Sequence, residues 1–600
     1  MKSLTGLDAT FLYLETPEMP MHVGSFNLCE LPVGFKGSFH KEVTRHIAKR
    51  MHLAPVFSRK LVFMPLDLGH PLWVEADEVD IGFHIRRADS AKKGSAPMTL
   101  LEAHQLCAQL HGELIDRNFP LWEFYVFDRI KLPEEQGGKV VAGFFSKIHH
   151  AALDGKGGVM LANAMLDLGP LPREVAPPDP GRKRKLESEL KIGKMIGSVF
   201  SSSLGQLVKA AKALPAAAST FGSTLARQSM DKSASGIKKA RLPMRLAPQT
   251  PFNAGITSGR VFVTATVPLA ECKAMGKAVG GSFNDIVLWI CSTALRNYLL
   301  QHHSLPKKTL VAAMPVSLRE SGASDAKELG NQVSMSLVEL GTHLAHPIKR
   351  MNAIMASTTK VKESMQGGLK DLLPTDYPSL LAPWLVGGAA KMALNAFGKS
   401  GIADRLPLMA NLAISNVPGP PVPLYLAGAQ FLSFHPLSII LHGLALNITI
   451  QTYAGHVDFG IIADQKALPH ASDLAKAIEA AFSEAQALMS LQDNKAAAKP
   501  LPEAGKAPAR KTIAAAVSDA AKTPKIPVKT RKTLVPQATK SANLEKPPSI
   551  RRIRRADTGS ASPLQQTETS RTSNHGQSDL TAAPQKPARR KAAARKPADQ

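Results

Sequence analysis

Two adjacent histidines, His149 and His150, have the residue type and the setting for proton transfer. Imidazole has an unperturbed pKa near ~6.5, so at neutral pH its neutral form is available to accept a proton. His150 is followed four residues later by Asp154 and Gly155. A general base is the predicted role of His150, and Asp154 could orient that base as in a Ser-His-Asp triad or hold the local turn.

The elements around this pair should place it at the rim of a sheet. Residues 139–148 are β-branched and aromatic, as in a buried strand, Asp154-Gly155 is typical of a turn, and residues 157–166 predict a helix. A lone histidine at a strand end is more often a hydrogen-bonded structural residue. The pairing with Asp-Gly favours catalysis, and no His-Glu-x-x-His or Cys-x-x-Cys spacing supports a metal site, so no metal is predicted.

Residues 149–155 resemble the His-His-x-x-x-Asp-Gly signature of the bacterial wax ester synthase/diacylglycerol acyltransferase family, within the CoA-dependent acyltransferase superfamily. Further segments match in the family's order: Leu4 to Asp8, Pro120-Leu121-Trp122-Glu123, Asn284-Asp285, Pro315 to Arg319, Ser415 to Pro420 and Gly455 to Asp464. The resemblance covers nearly all of residues 1–490.

The resemblance implies an α/β fold of two chloramphenicol-acetyltransferase-like α/β domains that face a shared channel. It also implies acyl-CoA as the acyl donor and diacylglycerol, a long-chain alcohol or both as the acceptor, with triacylglycerol or a wax ester as the product. No cofactor is expected, because acyl-CoA is a substrate. The acyl group would pass directly within a ternary complex.

The same resemblance assigns roles to individual residues. It makes His150 the proton acceptor and His149 a supporting residue. It implies that Asp154 turns away from the histidines and pairs with an arginine, for which Arg319 is a candidate. Trp122 is predicted to line the acyl or alcohol pocket, although a buried tryptophan is more often simple core.

Asn284 and Asp285 match the family's Asn-Asp motif and are candidate substrate-binding residues. Asn284 could donate a hydrogen bond near the oxyanion or CoA. The alternative is that the motif caps a helix that supports the channel. Ser415-Asn416 could likewise present a donor at the cleft or serve only the turn that follows.

Length and composition indicate more than one globular domain in a reducing compartment. The chain has 600 residues, 44% of them hydrophobic, and its four cysteines are Cys29, Cys107, Cys272 and Cys291. Their spacing forms no redox or metal motif, which fits a cytoplasmic protein. The N-terminus lacks a signal-peptide pattern, and no uncharged apolar run reaches the ~20 residues of a bilayer span. We therefore expect a cytoplasmic enzyme that associates peripherally with membranes or lipid bodies.

The chain is predicted to have four parts. These are an N-terminal acyltransferase domain (1–180), a basic amphipathic helical linker (181–255), a C-terminal acyltransferase domain (256–490) and a disordered C-terminal tail (491–600). The tail holds 23 Lys/Arg and 8 Asp/Glu, carries +15 of the chain's net +26 and has no aromatic residue. It could bind anionic lipid, bind nucleic acid non-specifically through phosphates, or only increase solubility.

The linker contains a pattern typical of an interfacial helix. One broad face is apolar, and four lysines fall within a narrow arc opposite it. The apolar residues are Ile192, Met195, Ile196, Val199, Phe200, Leu204, Leu207 and Val208, and the lysines are Lys191, Lys194, Lys209 and Lys212. Such a helix could lie on an anionic membrane or lipid-droplet surface, or pack on the core of the enzyme itself.

The C-terminal domain alternates strand and helix patterns. A strand is predicted over 259–267 and a helix over 269–279, and a second helix over 286–300 should start at the capping residues that begin with Ser282. Residues 434–450 and 451–462, joined around residues 454–456, predict either two long strands or a strand and a hairpin.

Two alternatives to a lipid acyltransferase follow from the sequence. The first is a condensation-domain-like acyl transfer to an amine or a carrier-bound acceptor, which has a similar histidine motif. No carrier domain with an attachment serine is recognisable. The second is a non-catalytic protein that binds lipid bodies or the nucleoid through its basic segments, but the presence of His150 disfavours a degenerate enzyme.

Overall fold

The computed structural model describes residues 2–63, 70–88, 96–153, 155–178, 247–317, 333–366 and 408–497. All of these residues belong to one compact unit that spans residues 1–505. Most of the predicted linker, including its amphipathic pattern, and nearly all of the predicted tail lie outside the described residues. The division of the chain at residues 180 and 256 therefore stays a prediction.

The helices of the described residues are, in chain order, α1 (Gly6–Leu14), α2 (Phe39–Arg50), α3 (Ile81–His84), α4 (Leu100–Gly112), α5 (Gly155–Met165), α6 (Leu269–Ala278), α7 (Phe283–Gln301), α8 (Pro347–Gln366) and α9 (Ser472–Ala497). The strands of the N-terminal half are β1 (Lys2–Ser3), β2 (His22–Glu30), β3 (Arg59–Val62), β4 (Leu72–Glu75), β5 (Ile85–Arg87), β6 (Met98–Thr99), β7 (Trp122–Lys131) and β8 (Val140–His149).

The strands of the C-terminal half are β9 (Arg260–Pro268), β10 (Val311–Ser317), β11 (Val333–Glu339), β12 (Leu412–Val417), β13 (Tyr425–Leu426), β14 (Ala429–Phe431), β15 (His435–Leu437), β16 (Leu446–Tyr453) and β17 (His456–Asp464). A separate small sheet has the order β1-β4-β3.

An eight-stranded sheet carries the histidine pair. Its order is β13-β14-β2-β8-β7-β5, with β15 also paired to β2 and β6 to β7. Strand β8 lies at its centre, antiparallel to both β2 and β7, and all its residues from Val141 to His149 are buried. Both faces of this strand are covered, which explains why Val141 to Phe145 form a continuous apolar run and not an alternating pattern. Three of the strands, β13 to β15, come from the C-terminal half.

A six-stranded sheet forms the second layer, in the order β11-β10-β12-β16-β17-β9. Strands β16 and β17 form a hairpin whose two turn residues, Ala454 and Gly455, have φ of 44° and 91°. Positive φ at both positions is the geometry of a type I′ turn, which matches the twist of the two strands.

The hydrophobic core of the described residues has three parts. A small one joins Leu12 of α1 to Leu61 and Ala151, and the other two lie on opposite faces of the eight-stranded sheet. The larger part joins that sheet to the second one. In it the rings of Phe26 and Phe262 meet edge to face at 6.3 Å. The other part contains Trp122, Phe124 and Phe144 together with residues of α2. Because side chains alternate along a strand, His149 lies on the face of the larger core and its neighbour Ile148 on the other.

Most predicted elements are confirmed within two residues, namely β8, α5, β9, α6 and the start of α7 at Ser282. Of the two alternatives predicted over 434–462, the two long strands are wrong and a strand followed by a hairpin is confirmed. Strand β15 pairs in the first sheet, and β16 and β17 then form a hairpin in the second. The predicted start of the tail at 491 is also wrong, because the Ala-rich sequence continues α9 to Ala497.

No single helix of the described residues has both the length and the hydropathy needed to cross a membrane. The consecutive helices α6 and α7 reach the length and apolar composition of a membrane span only when they are counted together. They are bent by 101° at their junction.

Candidate active site

The two histidines lie at the end of strand β8, at the edge of the sheet. His149 is its last residue and lies opposite His22 of β2, and its backbone N–H donates to the carbonyl of Leu121 at 3.0 Å. His150 begins a short 3₁₀ turn that ends at Ala152. The backbone N–H of His150 donates to the carbonyl of Met21 at 2.8 Å. The predicted position at the rim of a sheet is therefore confirmed.

The ring of His150 is only partly exposed and is held by an aromatic neighbour. Phe11 of α1 stacks on it, with ring centroids 3.9 Å apart and an angle of 19° between the planes. Its Nδ1 is buried and has no hydrogen-bond partner in the described part of the chain. Burial lowers the pKa of His150 to about 4, and the adjacent His149 also lowers it. At neutral pH the imidazole is therefore neutral and has a lone pair to accept a proton.

His149 has a different environment and is fully buried. Its Nδ1 accepts the backbone N–H of Ala151 at 3.1 Å, so in the neutral ring the proton resides on Nε2. That Nε2 lies 3.2 Å from Oε1 of Glu15, but the angle between the two groups does not allow a well-formed hydrogen bond. His149 thus connects a buried carboxylate to the turn that contains His150.

Glu15 directly follows α1 and is the centre of a buried polar cluster. Its Oε1 accepts the backbone N–H of Met21 at 3.0 Å, and its Oε2 accepts from Arg117 Nη2 at 2.7 Å and Nε at 3.1 Å. Burial alone would raise the pKa of Glu15, but the contacts with His149, Arg117 and Met21 outweigh it and lower the pKa to about 2. The carboxylate is therefore ionised throughout the working pH range.

Asp154 lies outside the described residues, and so does its candidate partner Arg319. The predicted roles of both residues, structural or orienting, stay predictions.

Trp122 is fully buried in the core. Its Nε1 donates to the carbonyl of Phe57 at 3.2 Å, and His84 stacks on it with centroids 4.2 Å apart. It pairs with Ile148, so its side chain is on the sheet face opposite that of His149. These contacts are those of a core residue, and the substrate contact of Trp122 stays a prediction.

Asn284 and Asp285 form the start of α7. Asp285 and Ser282 make a reciprocal capping box, and Asp285 Oδ1 also accepts from Thr358 Oγ1 at 2.7 Å. Burial would raise the pKa of Asp285, but the hydrogen bonds from Ser282 and Thr358 lower it. The predicted capping alternative is thus confirmed for Asp285. Asn284 Oδ1 accepts from Asn416 Nδ2 at 3.4 Å, which joins two motifs that are 132 residues apart in sequence.

Sequence reasoning missed Phe11 and Glu15. The motif Leu4 to Asp8 marks the beginning of α1, and Asp8 and Thr5 do interact at its N-cap, but nothing in the motif indicates which histidines the far end of the helix contacts. The available signal was the position of Glu15, an acidic residue in a largely apolar stretch, which is atypical of a solvated face.

No group of three or more His, Cys, Asp or Glu side chains in the described ranges is arranged to hold a metal ion. A cavity of about 1030 Å³ lies between α2 and residues 172–178, and its described lining includes none of the predicted site residues.

Comparison with known proteins gives the chain its family. Residues 4–287 match the wax ester synthase/diacylglycerol acyltransferase catalytic domain, and residues 329–486 match the C-terminal domain of the same family. A putative diacylglycerol O-acyltransferase of Mycobacterium tuberculosis is 32% identical over 494 residues, which cover 81% of this chain and all of the relative. A probable diacylglycerol O-acyltransferase of the same organism is 32% identical over 486 residues, or 80% of this chain and 97% of the relative.

A solved structure supports the fold class. The wax ester synthase/diacylglycerol acyltransferase from Marinobacter aquaeolei VT8 matches with a TM-score of 0.55 and 24% identity, over 82% of this chain and all of that one. The predicted α/β fold of the chloramphenicol-acetyltransferase type is confirmed. The chain belongs to the wax ester synthase/diacylglycerol acyltransferase family and is an acyltransferase.

Proposed function

We propose that the chain is an acyl-CoA-dependent O-acyltransferase that makes triacylglycerol from diacylglycerol, wax esters from long-chain alcohols, or both. The observation that carries this proposal is the position of His150, which directly follows β8 at the sheet edge in the His-His-x-x-x-Asp-Gly motif, with Phe11 stacked on its ring. Burial lowers its pKa to about 4, so the ring is neutral at neutral pH. Family membership and the names of the mycobacterial relatives support the substrate classes.

His150 would act as the general base. The hydroxyl oxygen of the acceptor attacks the thioester carbonyl carbon while His150 takes the hydroxyl proton. The tetrahedral intermediate then collapses, the C–S bond breaks, and CoA leaves as a thiolate that takes the proton from the imidazolium. Base catalysis of this kind contributes ~10² to 10⁴-fold, and the histidine is regenerated without a covalent acyl-enzyme.

Asn284 is the candidate for stabilising negative charge on the thioester oxygen or contacting CoA. Its Oδ1 accepts from Asn416, so its Nδ2 is the end of the amide that could donate to a substrate oxygen. Asp285 would support this arrangement through the helix cap that it forms with Ser282.

The proposal is tested by incubating the purified protein with radiolabelled palmitoyl-CoA and either dioleoylglycerol or hexadecanol. Labelled triacylglycerol and wax ester are then separated by thin-layer chromatography. His150→Ala should lose at least ~10²-fold in rate and keep its fold, as judged by circular dichroism. His456→Ala, which changes an exposed histidine at the start of β17, is the matched control and should retain full activity.

Near-normal turnover by folded His150→Ala would overturn the assignment of the base. Hexadecylamine serves as a third acceptor, because amide formation in place of ester formation would favour the condensation-domain-like alternative. Lack of product with all three acceptors would favour a non-catalytic protein.

The basic linker and tail are proposed to bind the enzyme to an anionic membrane or lipid-droplet surface. Diacylglycerol and long-chain alcohols partition into lipid, and each basic residue near an anionic surface contributes on the order of 1 kcal/mol, which salt weakens. Deletion of residues 498–600 should reduce flotation with anionic vesicles at low salt and leave turnover of a dispersed short-chain alcohol nearly unchanged. Unchanged flotation would exclude the tail, and binding to unrelated DNA would support the nucleic-acid alternative.

A further inference from the structure

The C-terminal end of α1 brings two side chains to the two histidines, Phe11 from the helix and Glu15 from its C-cap position. Phe11 and Glu15 are four residues apart, so one helical turn separates them and they lie on the same side. Phe11 stacks on the ring of His150, and the carboxylate of Glu15 lies against Nε2 of His149. Helix α1 also packs directly on the 3₁₀ turn of residues 150–152.

The contact between Glu15 and His149 supports the tautomer of His149 that carries its proton on Nε2. A carboxylate at Nε2 favours a proton on that nitrogen, which leaves Nδ1 as an acceptor. The backbone N–H of Ala151 uses this acceptor at 3.1 Å. If the proton moved to Nδ1, the backbone N–H of Ala151 would lose its acceptor. The turn that carries His150 would then lose one of the hydrogen bonds that hold it.

Arg117 keeps the Glu15 carboxylate in place. Its two contacts of 2.7 and 3.1 Å fix Oε2, so that Oε1 remains directed at Met21 and His149. The guanidinium also donates to the carbonyl of Leu12 at 2.8 Å, which ties it to α1. The carboxylate is therefore constrained on both oxygens, as expected of a group that orients another residue.

We propose that Glu15 is a positioning residue, which acts through His149 to hold His150 in the orientation that accepts the proton of the acyl acceptor. The inference rests on the proposed role of His150 as the base. A carboxylate with only a structural role would change the amount of folded protein, whereas a positioning residue changes kcat of the folded enzyme and leaves KM nearly unchanged.

The test compares Glu15→Gln with Glu18→Gln. Both variants remove a carboxylate from the same loop, but Glu18 accepts from Arg260 through its backbone carbonyl, which the substitution leaves intact. For Glu15→Gln we expect kcat to fall by about 10- to 100-fold, with KM for palmitoyl-CoA and dioleoylglycerol within about twofold, because a small misplacement of the base is costly. Glu18→Gln should keep the wild-type kcat.

A double-mutant cycle shows whether Glu15 acts through His149. In a His149→Ala background, Glu15→Gln should cause little further loss of kcat, because the residue it acts through is absent. Equal fold-losses in both backgrounds would overturn the proposal. Should Glu15→Gln not fold, Glu15→Asp keeps the charge beside Arg117 but withdraws it from His149. Wild-type kcat in Glu15→Asp would then overturn the proposal, and reduced kcat at unchanged KM would support it.

The outcomes separate this inference from the proposed function. If the wild-type protein forms no ester from any acceptor, the proposed function is wrong. If the wild type is active and His150→Ala is not, but folded Glu15→Gln behaves like Glu18→Gln, only the role of Glu15 is wrong.

Discussion

The acid side of the pH–rate profile should report the buried environment of His150. Its pKa is lowered from 6.5 to about 4, chiefly by burial. A general base works only when deprotonated, so a lowered pKa moves the loss of activity to lower pH. At about pH 5, a base with a pKa near 4 is about 90% neutral, whereas an unperturbed imidazole is only about 3% neutral. The two cases differ by roughly 30-fold in kcat/KM.

The assay measures initial rates of labelled ester formation between about pH 4 and 8, with kcat/KM for palmitoyl-CoA plotted against pH. The fold must be checked at each pH, because burial also lowers the pKa of His22, His104 and His111. Such groups bind protons more readily in the unfolded chain, so stability falls as the pH drops below about 6.5. An acid limb centred near pH 6.5 in protein that is still folded at pH 5 would refute the reasoning.

Three substitutions test the structure around the site. Ser282→Ala removes half of the capping box of α7 and should lower the free energy of unfolding by about 0.5–2 kcal/mol in a urea titration. Trp122→Ala removes a buried indole from the sheet face opposite His149, so it should cost about 3–5 kcal/mol of stability and change kcat of the folded fraction little. Lost activity at unchanged stability would instead support a substrate contact. Gly24→Ala would place a Cβ against the carbonyl oxygen of Ser146, so little folded protein should be recovered, and a wild-type yield would contradict the close approach of β2 and β8.

The sequence predicted the elements that its local patterns encode. The apolar run before His149 gave the central strand within one residue, and the polar residues at Ser282 gave the start of α7. It also indicated His150, because a histidine at the end of a buried strand beside Asp-Gly is a local feature. The cap formed by Asp285 was one of two interpretations that the local pattern allowed.

What the sequence could not provide is long-range pairing. Glu15 and His149 are 134 residues apart, and no periodicity relates them. For the same reason the local pattern left two alternatives open over 434–462, because β15 pairs with β2, about 400 residues earlier in the chain. The core position of Trp122 follows from its register with Ile148, which local patterns do not specify.

The pairing of β2 with β14 and β15 has a consequence for how the protein is made. Strand β2 has β8 on one edge, and its other edge is completed only by residues 429–437. At about 5–20 residues per second, a ribosome needs roughly 15–55 s to reach β14 after β8 has been synthesised. During that interval the nascent sheet presents an open strand edge, the type of surface that pairs with other chains. Expression of the N-terminal half by itself would make that interval permanent, so such a fragment should aggregate unless residues 425–437 are supplied with it.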